Sequence, residues 1–438
     1  MNAFNSIVGY DSIKRELEQI LDIFLDPEKY SRLGVRTPRG LLLYGEPGTG
    51  KTTMAKALSD HSGRPVFLCR KNQPGGDFIR TIEATFRKAK EAAPSIVFLD
   101  DMDKFANGDE RHRDAEEYVT VQACIDDVRE AEVYVIATVN DMNKIPRSLY
   151  RAGRFDTVIS VPCPNVEEAE KIIGHYLNEK KNVGAVDSAT VARLLNGNSP
   201  AKLESLINEA GLYAGFEQQE QIEMKHFLRA CLHSVYKVSN AVLDGMEKQK
   251  PDLTDRNNIL TQIIYHEAGH AVVREVMDPG SVTLVSAYSQ KNEKGGFTRY
   301  SPGTHAMERT RRLMIEVLTS LGGIAALEQC LGLTDTGGAR DLNEAFNIVG
   351  DLVAEDCFRG FGLHMDENFR DPEQLRVRQE AVTAAEIERL YRKTKEILSV
   401  NRDFLEAIVQ ALSEKIVLTE NDVREIRSRH KITEVTVC

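Results

Sequence analysis

The stretch richest in chemically active residues is Tyr265-His266-Glu267-Ala268-Gly269-His270, inside the apolar-periodic run at residues 259–276. On a helix, residues four apart share a face, so His266 and His270 can offer two neutral imidazole nitrogens to one zinc ion. Glu267 can act as the general base that activates a water for peptide hydrolysis. A surface helix with two unrelated histidines is the alternative, but the apolar flanks favour a catalytic zinc site.

A two-histidine site needs a third protein ligand, and the sequence offers several candidates. Residues 336–341 (Thr-Gly-Gly-Ala-Arg-Asp) turn at two glycines, and Asp341 then opens a predicted helix with its carboxylate able to point away. Aspartate is also a common helix N-cap, so Asp341 has an ordinary structural explanation. Glu328, Asp335 and Glu344 are competing ligands, and spacing does not decide among the four.

A second motif lies near the N terminus, where an apolar run at residues 40–44 leads into G-x-x-x-x-G-K-T. In such a loop the glycines let backbone N–H groups wrap phosphates, the lysine neutralises phosphate charge, and the threonine hydroxyl reaches Mg²⁺. The helix predicted after it, at residues 52–61, adds the positive end of its dipole. A glycine-rich turn without a ligand is disfavoured by the strand before and the helix after. The expected ATP-binding residues here are Gly45, Glu46, Pro47, Gly48, Thr49, Gly50, Lys51, Thr52 and Thr53.

Polar residues that would complete an ATPase site follow two further buried-strand patterns, at residues 95–99 and 133–139. Asp100 would hold Mg²⁺ through water, and Asp101 would polarise the attacking water. Asn140 can touch the γ-phosphate or that water. An acidic loop is the plainer interpretation of the aspartate pair, and the phosphate loop upstream argues against it.

Arg151 and Arg154 follow the third strand pattern, in the segment Arg-Ala-Gly-Arg-Phe-Asp. Such arginines can stabilise charge on a γ-phosphate as arginine fingers. If they act on a neighbour's nucleotide, the protein forms a ring. Without this context, the segment would indicate an ordinary surface loop.

The elements that position these residues divide the chain into an α/β part and helical parts. Strand patterns separated by helical stretches predict parallel βαβ units, with the ligand at the carboxyl ends of the strands. We expect an α/β ATPase domain at 1–165, a helical lid at 166–244, a linker at 245–252 and a mainly helical peptidase domain at 253–438. In the last domain, strands at 281–285 and 296–300 flank a polar turn at 291–295, and such a strand can hold an extended substrate.

Composition excludes several classes of protein. Of 438 residues, 42% are apolar and 28% charged, which is ordinary for a folded domain, and a net charge of -11 argues against a nucleic-acid partner. Seven cysteines without a C-x-x-C pair indicate reduced thiols. Neither a signal peptide nor the ~20-residue apolar run of a membrane span is apparent, so a cytoplasmic location is expected.

With these residues assembled, the chain resembles the FtsH-type AAA proteases, which are ATP-dependent zinc metalloproteases, from about residue 4 to residue 432. The resemblance implies that Asp341 is the third zinc ligand and that Arg151 and Arg154 act in trans. It implies a homohexamer with an ATPase ring stacked on a peptidase ring. It also implies adenine contacts from Ile7, Val8, Gly9, His175 and Ala201.

Four features depart from the family pattern. Family members usually carry membrane helices before the ATPase module, whereas this chain starts inside that module, so a soluble protein is expected. Asp101 replaces a glutamate, which sets the carboxylate ~1.5 Å back and predicts slow ATP hydrolysis, because small misplacements cost up to ~10²-fold. The pore loop that grips substrate is shortened near residues 75–83, with Phe78 as the candidate gripping residue. The chain also ends without a long heptad tail.

Three functions follow from these residues. The first is an ATP-dependent zinc endopeptidase that degrades unfolded or tagged proteins through a hexameric ring. The second is a peptidase that ATP gates by assembly, with weak unfolding power. The third is a non-proteolytic remodelling ATPase with structural zinc, which the intact Glu267 and an open zinc position argue against. The sequence does not name the substrates or their recognition tags.

Overall fold

The computed structural model describes residues 3–34, 37–71, 75–106, 115–151, 153–245, 251–288, 296–301, 309–334, 338–354 and 372–436. The chain forms two compact units, Met1–Phe227 and Leu228–Cys438. The division falls before the predicted linker at 245–252, of which residues 246–250 lie outside the described part. The predicted domain boundaries stay a prediction.

The first unit is built on a five-stranded parallel sheet. Its strands are β1 (Gly40–Tyr44), β2 (Val66–Cys69), β3 (Ser95–Leu99), β4 (Val133–Val139) and β5 (Thr157–Ser160), in the order β2-β3-β4-β1-β5. The helices among and before these strands are α1 (Asp11–Leu25), α2 (Pro27–Arg32), α3 (Lys51–His61), α4 (Gly75–Glu91) and α5 (Glu116–Asp127). The predicted parallel sheet is confirmed.

The sequence patterns located the three central strands but not β2 and β5. The central strands are buried along their whole length apart from Tyr44, and they therefore stand out as continuous apolar runs. The edge strands have only four residues each and leave Val66, Leu68 and Val158 exposed. Short, half-exposed strands lack the apolar run that identifies a buried strand.

Four helices follow the sheet: α6 (Val166–Asn178), α7 (Ser188–Leu194), α8 (Pro200–Phe216) and α9 (Met224–Ser234). Local chemistry sets their starts. Asn165 and Glu168 form a capping box at α6, and the Asp187 carboxylate caps α7. Pro200 opens α8, where a missing N–H costs nothing. The helical stretch predicted after residue 166 is present.

The second unit surrounds one long buried helix. Its elements after α10 (Asn240–Gly245) are α11 (Ile259–Met277), β6 (Val282–Ser286), β7 (Phe297–Tyr300), α12 (Arg309–Leu331), α13 (Ala339–Ala354), α14 (Pro372–Val400), α15 (Arg402–Lys415), β8 (Val417–Thr419) and α16 (Glu420–Ser428). The predicted pair β6 and β7 is antiparallel, as expected. The predicted turn at 291–295 lies outside the described residues.

Helices cover most of residues 383–427, and the short strand β8 interrupts them. Ile416 ends α15 with a left-handed backbone (φ 63°), and residues 417–419 then pair with β6. The sheet therefore has the order β7-β6-β8. A three-residue apolar run between two helices carries no periodicity of its own, so only the pairing with β6 reveals the strand.

Helices α11 and α12 meet at two glycines. A Cβ added to Gly269 would lie 2.3 Å from the Gly322 carbonyl oxygen, so the two backbones touch at this point. Among the described residues, the segment Thr310–Leu331 of α12 is long and apolar enough to cross a bilayer. Of the apolar window in that segment, 56% is buried, which is typical of a core helix in a folded domain.

Candidate metal centre and nucleotide site

Helix α11 presents both histidines of the predicted motif to Asp341 in the first turn of α13. The two Nε2 atoms of His266 and His270 lie 3.0 Å apart. The Asp341 Oδ2 atom lies 3.1 Å from the His266 Nε2 atom and 3.5 Å from that of His270. Among the described residues, these three form a cluster of potential metal ligands within 4.8 Å of one another.

The three atoms fit a zinc ion. Ligands at about 2.0–2.1 Å in a tetrahedron lie roughly 3.3–3.4 Å from one another, close to the observed separations. The His270 Nδ1 atom lies 2.7 Å from the Thr319 carbonyl oxygen, which can only accept a hydrogen bond. Nδ1 therefore carries the proton, and Nε2 is left for a metal, as in the outer shell of known zinc sites.

The other proposed third ligands are not part of the cluster. Glu328 accepts hydrogen bonds from Tyr391 and Lys395 at an exposed surface. Glu344 is exposed on α13. Asp335 lies outside the described residues. Asp341 is the third residue of α13 rather than the residue before it, so its simple N-cap interpretation is also disfavoured.

The ionisable groups of the cluster shift one another's pKa values. Burial alone would lower the pKa of His270, but the hydrogen bond and charge of Asp341, with the charge of Glu267, raise it to about 9. Burial alone would raise the pKa of Asp341, yet the two histidines hold it well below its usual range. The carboxylate therefore supplies the negative charge that a divalent cation requires.

Glu267 lies directly beside these ligands and is 4% exposed. Burial raises the pKa of its carboxyl, against the opposing charges of His266 and His270. Its Oε2 atom accepts a hydrogen bond of 2.7 Å from the Thr298 hydroxyl on β7. A buried carboxylate with one fixed donor is suited to take a proton from a neighbouring water. The sequence analysis did not identify Thr298, because its role depends on how β7 packs.

Two glycines leave room for the side chains of His266 and Glu267. A Cβ at Gly323 of α12 would lie 2.5–2.7 Å from the His266 ring atoms. A Cβ at Gly296 would lie 2.5 Å from the Cγ atom of Glu267. Any larger residue would displace these two side chains.

The predicted ATP residues lie together at one edge of the first sheet. β3, β4 and β1 are neighbours, so their carboxyl ends bring Asp100, Asn140 and the phosphate loop to one place. The Thr52 hydroxyl donates a 2.9 Å hydrogen bond to Asp100 Oδ1, as expected of the pair that would hold Mg²⁺. The Lys51 ammonium donates to the carbonyls of Gly45 and Glu46.

The backbone of the phosphate loop requires its glycines. Gly48 and Gly50 have φ of 81° and 95°, in the left-handed region. Gly45 has φ 152°, and a Cβ there would lie 2.0 Å from the Val161 carbonyl oxygen. Thr49 donates a hydrogen bond of 2.9 Å to the Glu46 carbonyl, which closes the loop.

Asp101 adopts a left-handed backbone (φ 54°) at the end of β3. Its carboxylate accepts a hydrogen bond of 2.7 Å from the Lys104 ammonium and one of 3.2 Å from the Asn140 side-chain amide. Burial would raise the pKa of Asp101, but the Lys104 hydrogen bond and charge lower it. The structure thus joins Asp101, Asn140 and Lys104 by hydrogen bonds, and the water-polarising role of Asp101 stays a prediction.

Arg70 is a further charged residue at this edge. It follows β2, a strand that the sequence patterns did not locate. Its guanidinium lies 2.7 Å from Oδ2 of Asp100, which is 2% exposed. The carboxylate that would hold Mg²⁺ is therefore paired with an arginine in this structure.

The two predicted arginine fingers differ in their surroundings. Arg151 is exposed. Arg154 is 8% exposed and donates to Asp126, to the Gln122 side chain and to the Ser148 carbonyl. Arg151 therefore presents its side chain to solvent, while Arg154 bonds to residues of its own domain. The trans-acting role of both stays a prediction.

Residues predicted around the adenine lie near the phosphate loop and α6. The Ala201 N–H donates to the Gly48 carbonyl at 3.2 Å, beside the phosphate loop. Gly9 packs against Glu168 and Ile172 of α6, which also carries His175 one turn later. Just before Gly9 in the sequence, Ile7 is buried and Val8 is half-buried. Adenine contact by these residues stays a prediction.

The suggestion that Phe78 grips substrate was wrong. Phe78 is fully buried and packs edge-on against Phe105 at 4.8 Å between ring centroids. Its apolar periodicity with Ile82 and Phe86 places all three in the core beneath the sheet. An aromatic ring held there cannot reach a substrate without unfolding α4.

The fold and site define a AAA ATPase joined to a metallopeptidase, and comparison with known proteins agrees. Residues 41–163 match the model of the AAA family, described as ATPases associated with various cellular activities, and residues 254–426 match peptidase family M41. A protein called ATP-dependent zinc metalloprotease FtsH from Caldicellulosiruptor bescii is 31% identical over 97% of this chain and 71% of its own length.

Two further relatives show the same pattern. ATP-dependent zinc metalloprotease FtsH 2 of Symbiobacterium thermophilum is 31% identical over 97% of this chain and 74% of its own length. The FtsH protein of Ureaplasma parvum is 30% identical over 94% of this chain, which spans 58% of that relative. The chain belongs to the FtsH family of ATP-dependent zinc metalloproteases. The predicted fold class, enzyme class and cofactors, zinc and ATP with magnesium, are confirmed at the level of the family.

Proposed function

We propose that this chain degrades unfolded or tagged proteins as a cytoplasmic homohexamer that couples ATP hydrolysis to peptide cleavage. The observation that carries the proposal is the buried Glu267 beside three side chains whose donor atoms converge within 4.8 Å. Zinc bound by His266, His270 and Asp341 would supply a Lewis acid that polarises a water and the peptide carbonyl.

The chain's own residues perform the proton transfers. Glu267 takes a proton from the attacking water and passes it to the leaving amine. Thr298 holds the carboxylate in place from β7. Among the described strands, β7 lies at an edge of its sheet, and an extended peptide can add to such an edge through backbone hydrogen bonds.

In the ATPase site, different residues would bind the metal, bind the phosphates and orient the attacking water. Thr52 and Asp100 converge where Mg²⁺ would lie, and Lys51 and the loop amides would bind the phosphates. Asp101 and Asn140 orient the attacking water. Arg151 of one subunit completes the nucleotide site of the next.

The test is degradation of a loosely folded and a tightly folded protein, each with ATP, with a non-hydrolysable analogue and with zinc chelated. We expect cleavage of both substrates with ATP, and loss of cleavage with the chelator and in Glu267→Gln. If no unfolded substrate is cut and Glu267→Gln changes nothing, the proposal is wrong.

A second candidate function is a peptidase that ATP gates by assembly, with weak unfolding power. The burial of Phe78 favours it, because α4 runs through the stretch where the gripping loop was expected. This candidate predicts that only the loose substrate is cut, and equally well with the non-hydrolysable analogue.

A further inference from the structure

Strand β7 has two faces with different neighbours, as the alternation of side chains along a strand requires. Gly296, just before the strand, lies so close to Glu267 that a Cβ there would meet its side chain. The Thr298 hydroxyl donates a hydrogen bond to the Glu267 carboxylate. Phe297 and Arg299 lie toward the opposite face. The general base therefore contacts one face of this strand.

The opposite face is covered by Tyr236, a residue that the sequence analysis placed in the helical lid. The rings of Tyr236 and Phe297 lie 4.4 Å apart between centroids, tilted by 33°. The Arg299 guanidinium lies 4.9 Å from the centre of the Tyr236 ring. Tyr236 is 5% exposed, and it belongs to the second compact unit.

Tyr236 is itself fixed to the end of α9. The Tyr236 N–H donates a hydrogen bond to the Cys231 carbonyl, and the Val238 N–H donates one to the Leu232 carbonyl. Lys237 has a left-handed backbone (φ 59°), which turns the chain sharply after the tyrosine. The Tyr236 ring is therefore tied to the last turn of α9.

We propose that Tyr236 is a positioning residue for peptide hydrolysis, acting through β7 and Thr298 on Glu267. The contact series is short. Tyr236 follows α9 and is hydrogen-bonded to its last turn, and its ring packs on Phe297 and Arg299. Thr298, the residue between those two, hydrogen-bonds the base. The proposal rests on the peptidase activity proposed above.

The test compares Tyr236→Ala, Thr298→Val and the double variant in the full chain, loaded with zinc and ATP, on a short unstructured fluorogenic peptide. We expect Tyr236→Ala to lower kcat about 10-fold and Thr298→Val about 10²-fold, with KM changed less than about twofold, because a misplaced base slows chemistry rather than binding. Thr298→Ser should restore most of kcat. The double variant should be no slower than Thr298→Val alone, since the two act in series.

Two readouts separate positioning from a general loss of structure. The zinc concentration for half-loading should be the same in all these variants, because none of the substitutions touches a ligand. Tyr236→Phe, which keeps the ring, should retain wild-type kcat. If Tyr236→Ala does not fold, Arg299→Ala removes an exposed partner of the ring and should lower kcat on its own.

Unchanged kcat in Tyr236→Ala, or in Arg299→Ala where the former does not fold, would overturn the inference. So would multiplicative losses in the double variant. Failure of the wild-type chain to cut the peptide under any condition would instead refute the proposed peptidase function.

Discussion

At the residue scale, the proposed zinc site uses three candidate ligands from two helices that are distant in sequence. His266 and His270 share a face of α11, and Asp341 arrives from α13. All three donor atoms converge, so loss of any one leaves a site with two ligands and extra open positions.

Asp341→Asn should weaken zinc binding by at least about 100-fold, since changes in the outer shell alone cost up to that factor. Zinc retained after dialysis against a weak chelator measures the effect. Glu344→Gln, an exposed change on the same helix, is the control and should keep its zinc. Full zinc retention by Asp341→Asn would exclude it as a ligand.

Arg70→Ala should lower the Mg²⁺ concentration needed for half-maximal nucleotide binding by up to about 5-fold, the upper end of the range for a partly exposed ion pair. The reason is that the Arg70 guanidinium competes with Mg²⁺ for the Asp100 carboxylate. A fluorescent ATP analogue titrated at several Mg²⁺ concentrations measures the change. Arg80→Ala, an exposed change on α4, is the control, and an unchanged or higher Mg²⁺ requirement in Arg70→Ala would refute the competition.

At the scale of elements, close helix packing determines where the two histidine side chains lie. α11 and α12 touch through Gly269 and Gly322, and this contact places Gly323 beneath the His266 ring. The Thr319 carbonyl of the same helix α12 orients His270. α12 is thus the support of the metal centre although it contributes no ligand.

Gly323→Ala should displace His266, because the added methyl group would lie about 2.5 Å from the ring. We expect reduced zinc retention and a lower melting temperature. Gly350→Ala on α13 is a matched control, since nothing lies within 4 Å of its Cβ position, and it should be neutral or stabilising by up to ~1 kcal/mol. Equal zinc content in both variants would show that α12 does not position His266.

At the scale of the whole molecule, the proposed ring makes each nucleotide site depend on two subunits. Arg151 is exposed, whereas the Arg154 guanidinium hydrogen-bonds to Asp126, Gln122 and Ser148. The hydrogen bond from Arg154 lowers the pKa of the Asp126 carboxyl. Arg151 is therefore the better candidate for a residue that acts across a subunit boundary.

Arg151→Ala and Lys51→Ala should each abolish most ATP turnover on their own. Mixing the two variants should restore part of it, because a site with an intact loop can then meet an intact arginine from its neighbour. Steady-state ATP hydrolysis against mixing ratio is the measurement. No recovery at any ratio would mean that Arg151 does not act in trans.

Motifs with strict local spacing could be recognised from the sequence alone. The phosphate loop and the histidine pair are defined by spacing within one turn or one helix, so local geometry follows directly from residue order. The three central strands were identified because full burial requires continuous apolar runs.

The tertiary structure decided what depends on contacts between distant segments. It brought Asp341 to the histidines and excluded Glu328 and Glu344, a choice that spacing could not make. It placed Arg70 on Asp100, Thr298 on Glu267 and Tyr236 on β7, none of which has a local signature. It also buried Phe78, since amphipathic periodicity alone does not tell whether an aromatic residue faces the core or a substrate. Such partners are chosen by packing, which joins residues that the chain order keeps far apart.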